Sequence, residues 1–392
     1  MKKILFSPPD ITKEEIDAVT EVMKSGWITT GPKTREFEEK ISSFCNTKKS
    51  ICMNSATACL ESALRVLEIG PGDEVIVTPY TYTASCSVIC HVGATPVMVD
   101  LSENSFEMNY EKVLDSINEK TKAIIPVDIG GILCDYDKIF EVLNIKKNIF
   151  VPKNNLQKKI GRVCIISDSA HSFGAFRNGK ISGSIADFTA FSFHAVKNLT
   201  TAEGGALTWT IDDDSLHSKL FLLSLHGQNK DAFSKINGGW EYDIVSTGYK
   251  NNMTDILASI GLVQLKRFNA LIDKRRTLAS LYNKLLSDLN IEIYQENSKI
   301  KDSTVHLYIT RFKTIDEIQR NKMINNLLSY GVYSNVHYKP LPLLTAYKNL
   351  GFSISDFPNA FNMYKNEITL PLHTKMSEDD VEYVCSCVKK II

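Results

Sequence analysis

A lysine and an aspartate in the middle of the sequence have the types and spacing for chemistry on a shared ligand. Lys197 lies between two short apolar runs, with Glu203-Gly204-Gly205 close behind it, and Asp168 ends the apolar run before these. Ligands of open α/β sheets collect at the carboxyl ends of strands, so both side chains can reach one crevice. Pyridoxal phosphate (PLP) needs a lysine that forms a Schiff base and an acid that keeps its ring nitrogen protonated. The pair therefore predicts a PLP site.

Each of these residues also has an ordinary structural interpretation, because most lysines are solvated and an aspartate after a strand can cap a turn. Two further features favour a phosphate-bearing aromatic ligand. Ala56 and Thr57 open a predicted helix, whose free N–H groups and dipole attract anions, although a simple N-cap explains the same residues. Tyr82 follows another predicted strand, where it can stack on a planar ring or pack against the protein.

The elements that must position these residues alternate between strands and helices. Short apolar runs bounded by turn residues predict a mainly parallel sheet with helices on both faces. The predicted strands are residues 74–77, 96–99, 122–127, 163–166, 188–191 and 206–209. The sequence therefore predicts an α/β domain over residues 1–267, the N-terminal segment included.

Helix signals lie on both sides of these strands. Thr12 and Glu15 form a capping box before a helical pattern that ends at Gly26. After Asp255 a long helical pattern leads into a second, smaller domain, for which we predict residues 268–392. Alternating polar and apolar residues there predict an antiparallel sheet with helices, an α+β layer.

Composition excludes several classes of protein. Lys+Arg and Asp+Glu number 45 each, and this neutral balance argues against a partner that is nucleic acid or an anionic membrane. No apolar run approaches the roughly 20 residues that span a bilayer. Nine cysteines without a repeating framework favour reduced thiols and a cytoplasmic location, and Cys385-Ser386-Cys387 lacks metal-ligand spacing, so no metal is expected. The basic stretch 146–159 predicts a solvated excursion, with anion binding as the alternative.

The ordered set of motifs resembles the DegT/DnrJ/EryC1/StrS family of PLP-dependent nucleotide-sugar aminotransferases along nearly the whole chain. Each motif alone is modest, and their order makes the resemblance specific. The matching segments are Ser25-Gly26-Trp27-Ile28-Thr29-Thr30-Gly31-Pro32, Asn54-Ser55-Ala56-Thr57-Ala58, Thr81-Tyr82-Thr83-Ala84-Ser85, Asp168-Ser169-Ala170-His171, Phe191-Ser192-Phe193-His194 through Lys197, Glu203-Gly204-Gly205, Gly248-Tyr249-Lys250-Asn251-Asn252-Met253-Thr254-Asp255 and His337-Tyr338-Lys339-Pro340.

The resemblance implies an aspartate aminotransferase-type (fold type I) large domain and a homodimer with sites at the subunit interface. It implies that Lys197 carries PLP, that Asp168 pairs with the ring nitrogen, that Tyr82 stacks on the ring and that His171 approaches the phenolic oxygen. The residues implied for the cofactor phosphate are Ala56, Thr57 and Ser192, with Lys250 and Asn252 reaching in from the partner subunit. Thr29, Thr30 and His337 are the expected substrate contacts, His337 with a structural role as its alternative.

The reaction that the resemblance implies is transfer of an amino group, from glutamate, to a keto sugar linked to a nucleotide diphosphate, in amino-sugar and polysaccharide biosynthesis. The stretch from Gly26 to Lys33 resembles members that aminate at C4, with C3 as the alternative. Dehydratases of the same family carry histidine where this chain has Lys197. A PLP-binding regulator without turnover is a further alternative of another class.

Three short segments depart from the common pattern of the family. Ala202 replaces a glycine of the usual Gly-Glu-Gly-Gly run, and Lys250-Asn251-Asn252 replaces Asn-Tyr-Arg. Val127-Asp128 stands where a Val-His pair is commoner. These changes bear on substrate fit and on subunit contacts, and they leave Lys197 unaffected.

Overall fold

Strands at the centre of the fold form one large mixed sheet. The computed structural model describes residues 2–230 and 240–392. The strands are β1 (Ser50–Met53), β2 (Glu74–Val77), β3 (Thr95–Met98), β4 (Thr121–Ile125), β5 (Cys164–Asp168), β6 (Phe176–Arg177), β7 (Lys180–Ile181), β8 (Phe188–Ser192), β9 (Gly205–Trp209), β10 (Glu292–Ile293), β11 (Tyr308–Arg311) and β12 (Glu367–Leu370). The large sheet has seven strands in the order β1-β9-β8-β5-β4-β2-β3.

Helices cover the sheet and build the C-terminal part of the chain. They are α1 (Lys13–Ser25), α2 (Pro32–Phe44), α3 (Ala56–Val66), α4 (Ala84–His91), α5 (Tyr110–Ser116), α6 (Tyr136–Ile145), α7 (Asn155–Ile160), α8 (Leu216–Ser224), α9 (Asp255–Leu285), α10 (Asn297–Ile300), α11 (Glu317–Ser329), α12 (Thr345–Asn349), α13 (Pro358–Tyr364) and α14 (Glu378–Ile391). Together the two sets of elements confirm the predicted α/β class.

Strand pairing in the large sheet is parallel from β3 to β8 and antiparallel at the other edge. β2, β3, β4, β5 and β8 pair in parallel, whereas β9 runs antiparallel to β8 and β1. All six strands predicted from the sequence are present within two residues of their expected ends. The sequence analysis missed β1, a short buried strand. Because β4, β5 and β8 are parallel neighbours, their carboxyl ends meet at one edge.

Alternate residues of each strand face opposite sides of the sheet, as pleating requires. Val75 and Val77 of β2 pack in a core with α3 and α4, whereas Ile76 between them packs in a second core with α5 and α6. A third core lies under α2 and α9 and takes Phe191 of β8. The sheet is therefore buried on both faces, which fixes the direction of its strand ends.

Local signals at the N-terminus act as the sequence predicts. The Thr12 side chain accepts a hydrogen bond from the first turn of α1, and the Glu15 side chain accepts one from the Thr12 N–H, at 2.7 Å. Gly26 ends α1 in the left-handed conformation, at φ 76°, which glycine adopts without strain. The capping box and the stop at Gly26 are both confirmed.

The long helix α9 joins the large sheet to the C-terminal part. Its 31 residues carry the chain through the predicted domain boundary at 267/268 without a break. Beyond it, β10, β11 and β12 form the expected antiparallel sheet, which packs with α11 and α14 around a separate core. The division into two domains at this point stays a prediction. Within residues 2–230 and 240–392, no helix is long and apolar enough to cross a membrane.

The basic stretch 146–159 is only partly the solvated excursion that we predicted. Its second half enters α7, where Leu156 and Gln157 are buried and the Gln157 amide donates to the Leu67 carbonyl at the end of α3, at 2.6 Å. Lys153 forms an ion pair with the buried Asp73 at 2.6 Å. The prediction is therefore wrong for Leu156 and Gln157, whereas Lys158 and Lys159 beside them are exposed as predicted.

Gly205 is the point at which β9 passes under the start of α3. A β-carbon at this position would lie 2.5 Å from the Ala56 backbone nitrogen and 2.7 Å from the Ser55 carbonyl oxygen. Both neighbours are backbone atoms that cannot move aside alone. A glycine here thus fixes the distance between the strand and the first turn of the helix.

We expect Gly205→Ala to lower the free energy of unfolding by about 1–3 kcal/mol, because the added methyl group overpacks backbone on backbone. Urea denaturation measures this change. Gly70→Ala is the matched control, because a β-carbon there meets only the Val92 carbonyl oxygen at 3.4 Å. Equal unfolding midpoints for the two variants would contradict the close approach.

Candidate active site

A cavity of about 450 Å³ opens at the edge where β4, β5 and β8 end. Eight of the residues predicted for the site line it. They are Ala56, Thr57, Tyr82, Asp168, His171, Ser192, Lys197 and His337. The structure therefore brings together residues from five separate parts of the sequence.

Asp168 ends β5 and is buried at the back of this cavity, with 6% of its surface exposed. Its Oδ2 accepts a hydrogen bond from the Ser85 hydroxyl at 2.6 Å, and its Oδ1 accepts one from the Ala170 N–H at 3.2 Å. Burial raises the pKa of the Asp168 carboxyl, whereas these hydrogen bonds and the charge of Lys197 oppose the rise. The carboxylate is thus held by donors and faces one cation.

Lys197 lies half-buried in the loop between β8 and β9. Its backbone N–H donates to the His194 carbonyl at 2.9 Å, and the Thr201 N–H donates to the Phe193 carbonyl at 2.9 Å. These two backbone hydrogen bonds within the loop stabilise its conformation. Burial lowers the pKa of the Lys197 amine to about 8, although the Asp168 carboxylate opposes the shift. The loop therefore presents an amine that is partly neutral near pH 8.

The same loop contains a strained residue. Ala202 has φ 70°, a left-handed conformation that a β-carbon disfavours. This is the position at which the family pattern has glycine. Its N–H donates to the Thr200 hydroxyl at 2.9 Å, which helps to hold the turn. The backbone therefore keeps a left-handed turn at position 202 although alanine replaces the glycine of the family pattern.

The first turn of α3 forms one end of the cavity. Ser55 caps this helix by accepting the Ala58 N–H at 3.1 Å. Within the described ranges, the N–H groups of Ala56 and Thr57 donate to no protein acceptor. Ser192 lies nearby at the end of β8, where its neighbour in the sheet is Gly205. Free N–H groups with a hydroxyl beside them suit a phosphate.

His171 is buried with a defined tautomer. Its Nδ1 lies 3.2 Å from the Gly130 backbone nitrogen, whose N–H can only donate, so the ring proton is on Nε2. Nε2–H then donates to the Tyr338 hydroxyl at 3.0 Å. Burial, with the charge of Lys197, lowers the pKa of His171 well below its usual range, so the ring is neutral. The Tyr338 proton remains available to the cavity.

The rings of Tyr82 and His337 both lie close to the ring of Tyr338. Tyr82 is 62% exposed, and its ring centroid lies 6.1 Å from that of Tyr338. The His337 ring stacks on Phe6 at 5.5 Å, and its Nδ1 contacts the Thr369 hydroxyl at 2.9 Å. The sequence analysis missed Tyr338, although it directly follows His337 in a quoted motif.

A second group that the sequence analysis missed surrounds Asp128. This carboxylate is 1% exposed and accepts hydrogen bonds from the hydroxyls of Ser169 at 2.7 Å, Ser172 at 2.8 Å and Tyr136 at 3.0 Å. Burial raises its pKa, and the donors oppose the rise. The cluster adjoins Asp168, because the Asp128 N–H donates to the Asp168 carbonyl at 3.1 Å. The run of serines after β5 was the available signal.

The remaining four predicted residues, Thr29, Thr30, Lys250 and Asn252, do not line this cavity. The Lys250 amine donates to the Asn252 side-chain oxygen at 2.6 Å, and the Asn252 amide donates to the Thr30 hydroxyl. Thr30 and Asn252 line a different cavity of about 460 Å³. Thr29 is exposed in the loop beside them. Within one chain these four residues form a separate group.

The residues of the first cavity fit PLP. The amine of Lys197 faces a buried carboxylate, and a cradle of free N–H groups lies at the start of α3, where Gly205 leaves the space that a β-carbon would fill. A lysine and an acid at the carboxyl edge of a mostly parallel sheet of this kind define the fold type I class of PLP-dependent enzymes.

Comparison with known proteins gives the family. The model of the DegT/DnrJ/EryC1/StrS aminotransferase family matches residues 9–389, and the chain belongs to this family. The spore coat polysaccharide biosynthesis protein SpsC of Bacillus subtilis (strain 168) is 38% identical over 395 residues, which cover 99% of this chain and 96% of SpsC. The protein is accordingly a PLP-dependent sugar aminotransferase.

Two solved structures agree with this assignment. The PLP-form of the putative sugar aminotransferase Spr1654 from Streptococcus pneumoniae is 52% identical with a TM-score of 0.95, and the match covers 100% of both chains. Helicobacter pylori PseC, an aminotransferase involved in the biosynthesis of pseudoaminic acid, is 29% identical with a TM-score of 0.87, covering 100% of this chain and 99% of PseC. These likenesses confirm the predicted family, fold and cofactor.

We expect Lys197 of the apoenzyme to react with an amine-directed acylating reagent with a half-maximal rate near pH 8, because only the neutral amine is nucleophilic. Solvated lysines should titrate near their usual pKa of about 10.4. Asp168→Asn removes the charge that favours the ammonium, so the midpoint should fall below 8. Peptide-resolved mass spectrometry measures each rate. A midpoint equal to that of the solvated lysines would contradict the burial of the amine.

Proposed function

We propose that this protein transfers an amino group from glutamate to a 4-keto sugar linked to a nucleotide diphosphate. The observation that carries the proposal is the placement of Lys197, a half-buried amine opposite the buried Asp168 carboxylate in one cavity. When bound, PLP supplies an electron sink that makes the α-carbon of an amino donor acidic. Residues of this protein would hold the cofactor, bind the substrates and move the protons.

The contacts described above support specific roles in holding the cofactor. Asp168 would hold a proton on the ring nitrogen, because its donors keep the carboxylate in place. The first turn of α3, at Ala56 and Thr57, would bind the phosphate together with Ser192. Tyr82 would cover the ring from the exposed side of the cavity. His171, neutral and anchored to Gly130, would lie beside the phenolic oxygen.

Lys197 would move the proton in both half-reactions. A general base works best when its pKa lies near the operating pH, and the pKa of about 8 meets this condition. Its Nζ would take the proton from the α-carbon of glutamate and would later return a proton to the sugar carbon that receives the amine. One residue suffices, because the two halves are the same reaction in opposite directions.

The proposed substrate rests on the relatives and on one sequence segment. SpsC takes part in spore coat polysaccharide biosynthesis and PseC in the biosynthesis of pseudoaminic acid, both sugar products. The segment from Gly26 to Lys33 supports amination at C4, with C3 as the alternative. We propose His337 as a substrate contact from the same chain. Thr29 and Thr30 would contact the substrate from the loop before α2.

We also propose a homodimer in which each subunit completes the site of the other. Lys250 and Asn252 lie away from the cavity of their own chain, which supports a role in the partner's site. The four-residue group with Thr29 and Thr30 would then bring phosphate and substrate contacts together across the interface. A cytoplasmic location, proposed from the nine free thiols, suits a nucleotide-linked substrate.

We expect Lys197→Ala to lower the rate of 2-oxoglutarate formation from glutamate by at least about 10²–10⁴-fold, because the amine that moves the proton is gone. The rate is measured in a single turnover at saturating PLP. Lys339→Ala is the matched control, an exposed lysine next to Tyr338 that should leave the rate unchanged. A wild-type rate in Lys197→Ala would contradict the mechanism.

The same assay with a nucleotide-linked keto sugar separates the alternatives. An aminotransferase makes the amino sugar, whereas a PLP-binding regulator binds the cofactor and makes none. A dehydratase would release water from the sugar, and the lysine at position 197 argues against it.

We expect mixed dimers of a Lys197→Ala chain and a Lys250→Ala chain to regain activity that neither variant has alone. In such a dimer, the site with the intact Lys197 receives the intact Lys250 of the other chain, so one site of the two is complete. Co-expressed chains with different tags allow the mixed dimer to be purified and assayed. Lys197→Ala mixed with Asp168→Asn is the control and should regain nothing. Failure of the first pair to recover would contradict a shared site.

A further inference from the structure

Glu367 is a fully buried carboxyl group next to the active site, at the start of β12. None of its surface is exposed, and among the described residues it forms no ion pair. Its Oε2 accepts the His337 N–H at 2.9 Å, and its Oε1 is in hydrogen-bond contact with the Thr369 hydroxyl at 2.5 Å. An unpaired buried carboxyl favours the protonated form. Burial raises the pKa of Glu367 to about 8.

A chain of hydrogen bonds links this carboxyl group to the cavity. The Thr369 hydroxyl contacts Glu367 on one side and Nδ1 of His337 on the other, at 2.9 Å. His337 lines the cavity, and Thr369 does not. The Nδ1 edge of the ring is therefore turned toward Thr369, which leaves Nε2 as the nitrogen that can reach a ligand.

The direction of these hydrogen bonds depends on one proton. When Glu367 is protonated, Oε1–H donates to Thr369, the Thr369 hydroxyl donates to Nδ1 of His337, and the imidazole proton is on Nε2. When Glu367 is ionised, Thr369 donates to Oε1 and accepts from Nδ1–H, so Nε2 is bare. The change balances, because two protons each shift by one position along the chain and the Nε2 proton leaves to the cavity.

We propose that the protonation state of Glu367 sets whether His337 presents a hydrogen-bond donor or an acceptor to the substrate. Below the midpoint His337 is an N–H donor to a substrate oxygen, and above it a bare acceptor. Burial lowers the pKa of His337 itself to about 3, so its ring stays neutral in both states. Glu367 and Thr369 are thus positioning residues, and the substrate contact rests on the proposed function.

Other titratable and charged groups lie close to the hydrogen-bond chain from Glu367 to His337, on several elements. On the Glu367 side, Arg311 in β11 is its direct partner in the sheet and forms an ion pair with Glu292. The Arg320 guanidinium donates to the Glu367 backbone carbonyl at 3.0 Å. The remaining groups are Tyr80 and Tyr338 near Glu367, and Lys197, His171 and His306 near His337. The arginines favour the ionised carboxyl, and burial outweighs them.

The direct test is the tautomer of His337 in the holoenzyme. Histidine labelled with ¹⁵N distinguishes a protonated from a bare ring nitrogen, and His337→Gln identifies the signals by their loss. Over a pH series that brackets 8, the proton should be on Nε2 at low pH and on Nδ1 at high pH. A tautomer that stays constant through the series would overturn the proposal. This readout needs no substrate, so the proposed aminotransferase activity can stand or fall separately.

Two variants should make the tautomer of His337 independent of the protonation of residue 367. In Glu367→Gln the His337 N–H requires the amide oxygen, so the NH₂ group faces Thr369 and should hold the proton of His337 on Nε2 at every pH. Thr369→Val has nearly the same shape and cuts the chain, so the tautomer should no longer follow pH. Glu378→Gln, an exposed control, should behave as wild type. A pH-dependent tautomer in Glu367→Gln would contradict the proposal.

Binding gives a second readout. The KM for the keto sugar should rise by about tenfold as pH passes 8 in the wild type, because a hydrogen bond to a substrate oxygen is lost. In Glu367→Gln the KM should stay flat while kcat follows the wild-type profile. A KM that rises equally in both proteins would show that the hydrogen bonds from Glu367 to His337 do not control substrate binding, which would contradict the proposal.

Discussion

Burial of the Asp168 carboxylate opposite Lys197 is the interaction on which the rest of the site depends. A carboxylate at this depth is stable only while its donors stay in place, and these come from Ser85 in α4 and from the backbone after β5. Lys197 is the cation that it faces, and the same burial lowers the pKa of that amine to about 8. The roles that we propose for the two residues, holding the ring nitrogen and moving the proton, would therefore have a common physical cause.

The parallel order of β4, β5 and β8 makes this arrangement possible. Strands that run the same way end at the same edge, so Asp168 pairs with Ala190 near the end of β8, although the β6–β7 hairpin separates β5 from β8 in sequence. Next to this edge, Asp128 and the hydroxyl groups that donate to it form a buried polar cluster. In front of it, the C-terminal part supplies His337 and Tyr338. The site is thus built where the two parts of the chain meet.

Much of the fold and part of the site could be predicted from the sequence, because their signals are local. Apolar runs, the capping box at Thr12 and the stop at Gly26 each depend on a few neighbouring residues. Lys197 and Asp168 could be proposed because both follow strands. The serine cluster around Asp128 and the link from Glu367 to His337 could not, because they depend on contacts between residues far apart in sequence. The burial of Gln157 could not be predicted for the same reason, since its partner is the Leu67 carbonyl at the end of α3.

The central claim is that Lys197 is the lysine that binds PLP covalently. The most direct measurement is borohydride reduction of the native enzyme with its bound PLP, followed by digestion and mass spectrometry of the peptides. The account predicts that the phosphopyridoxyl group is on the peptide that contains Lys197 and that Lys197→Ala protein carries none. The modification of another lysine in the native enzyme, with Lys197 unmodified, would contradict the account.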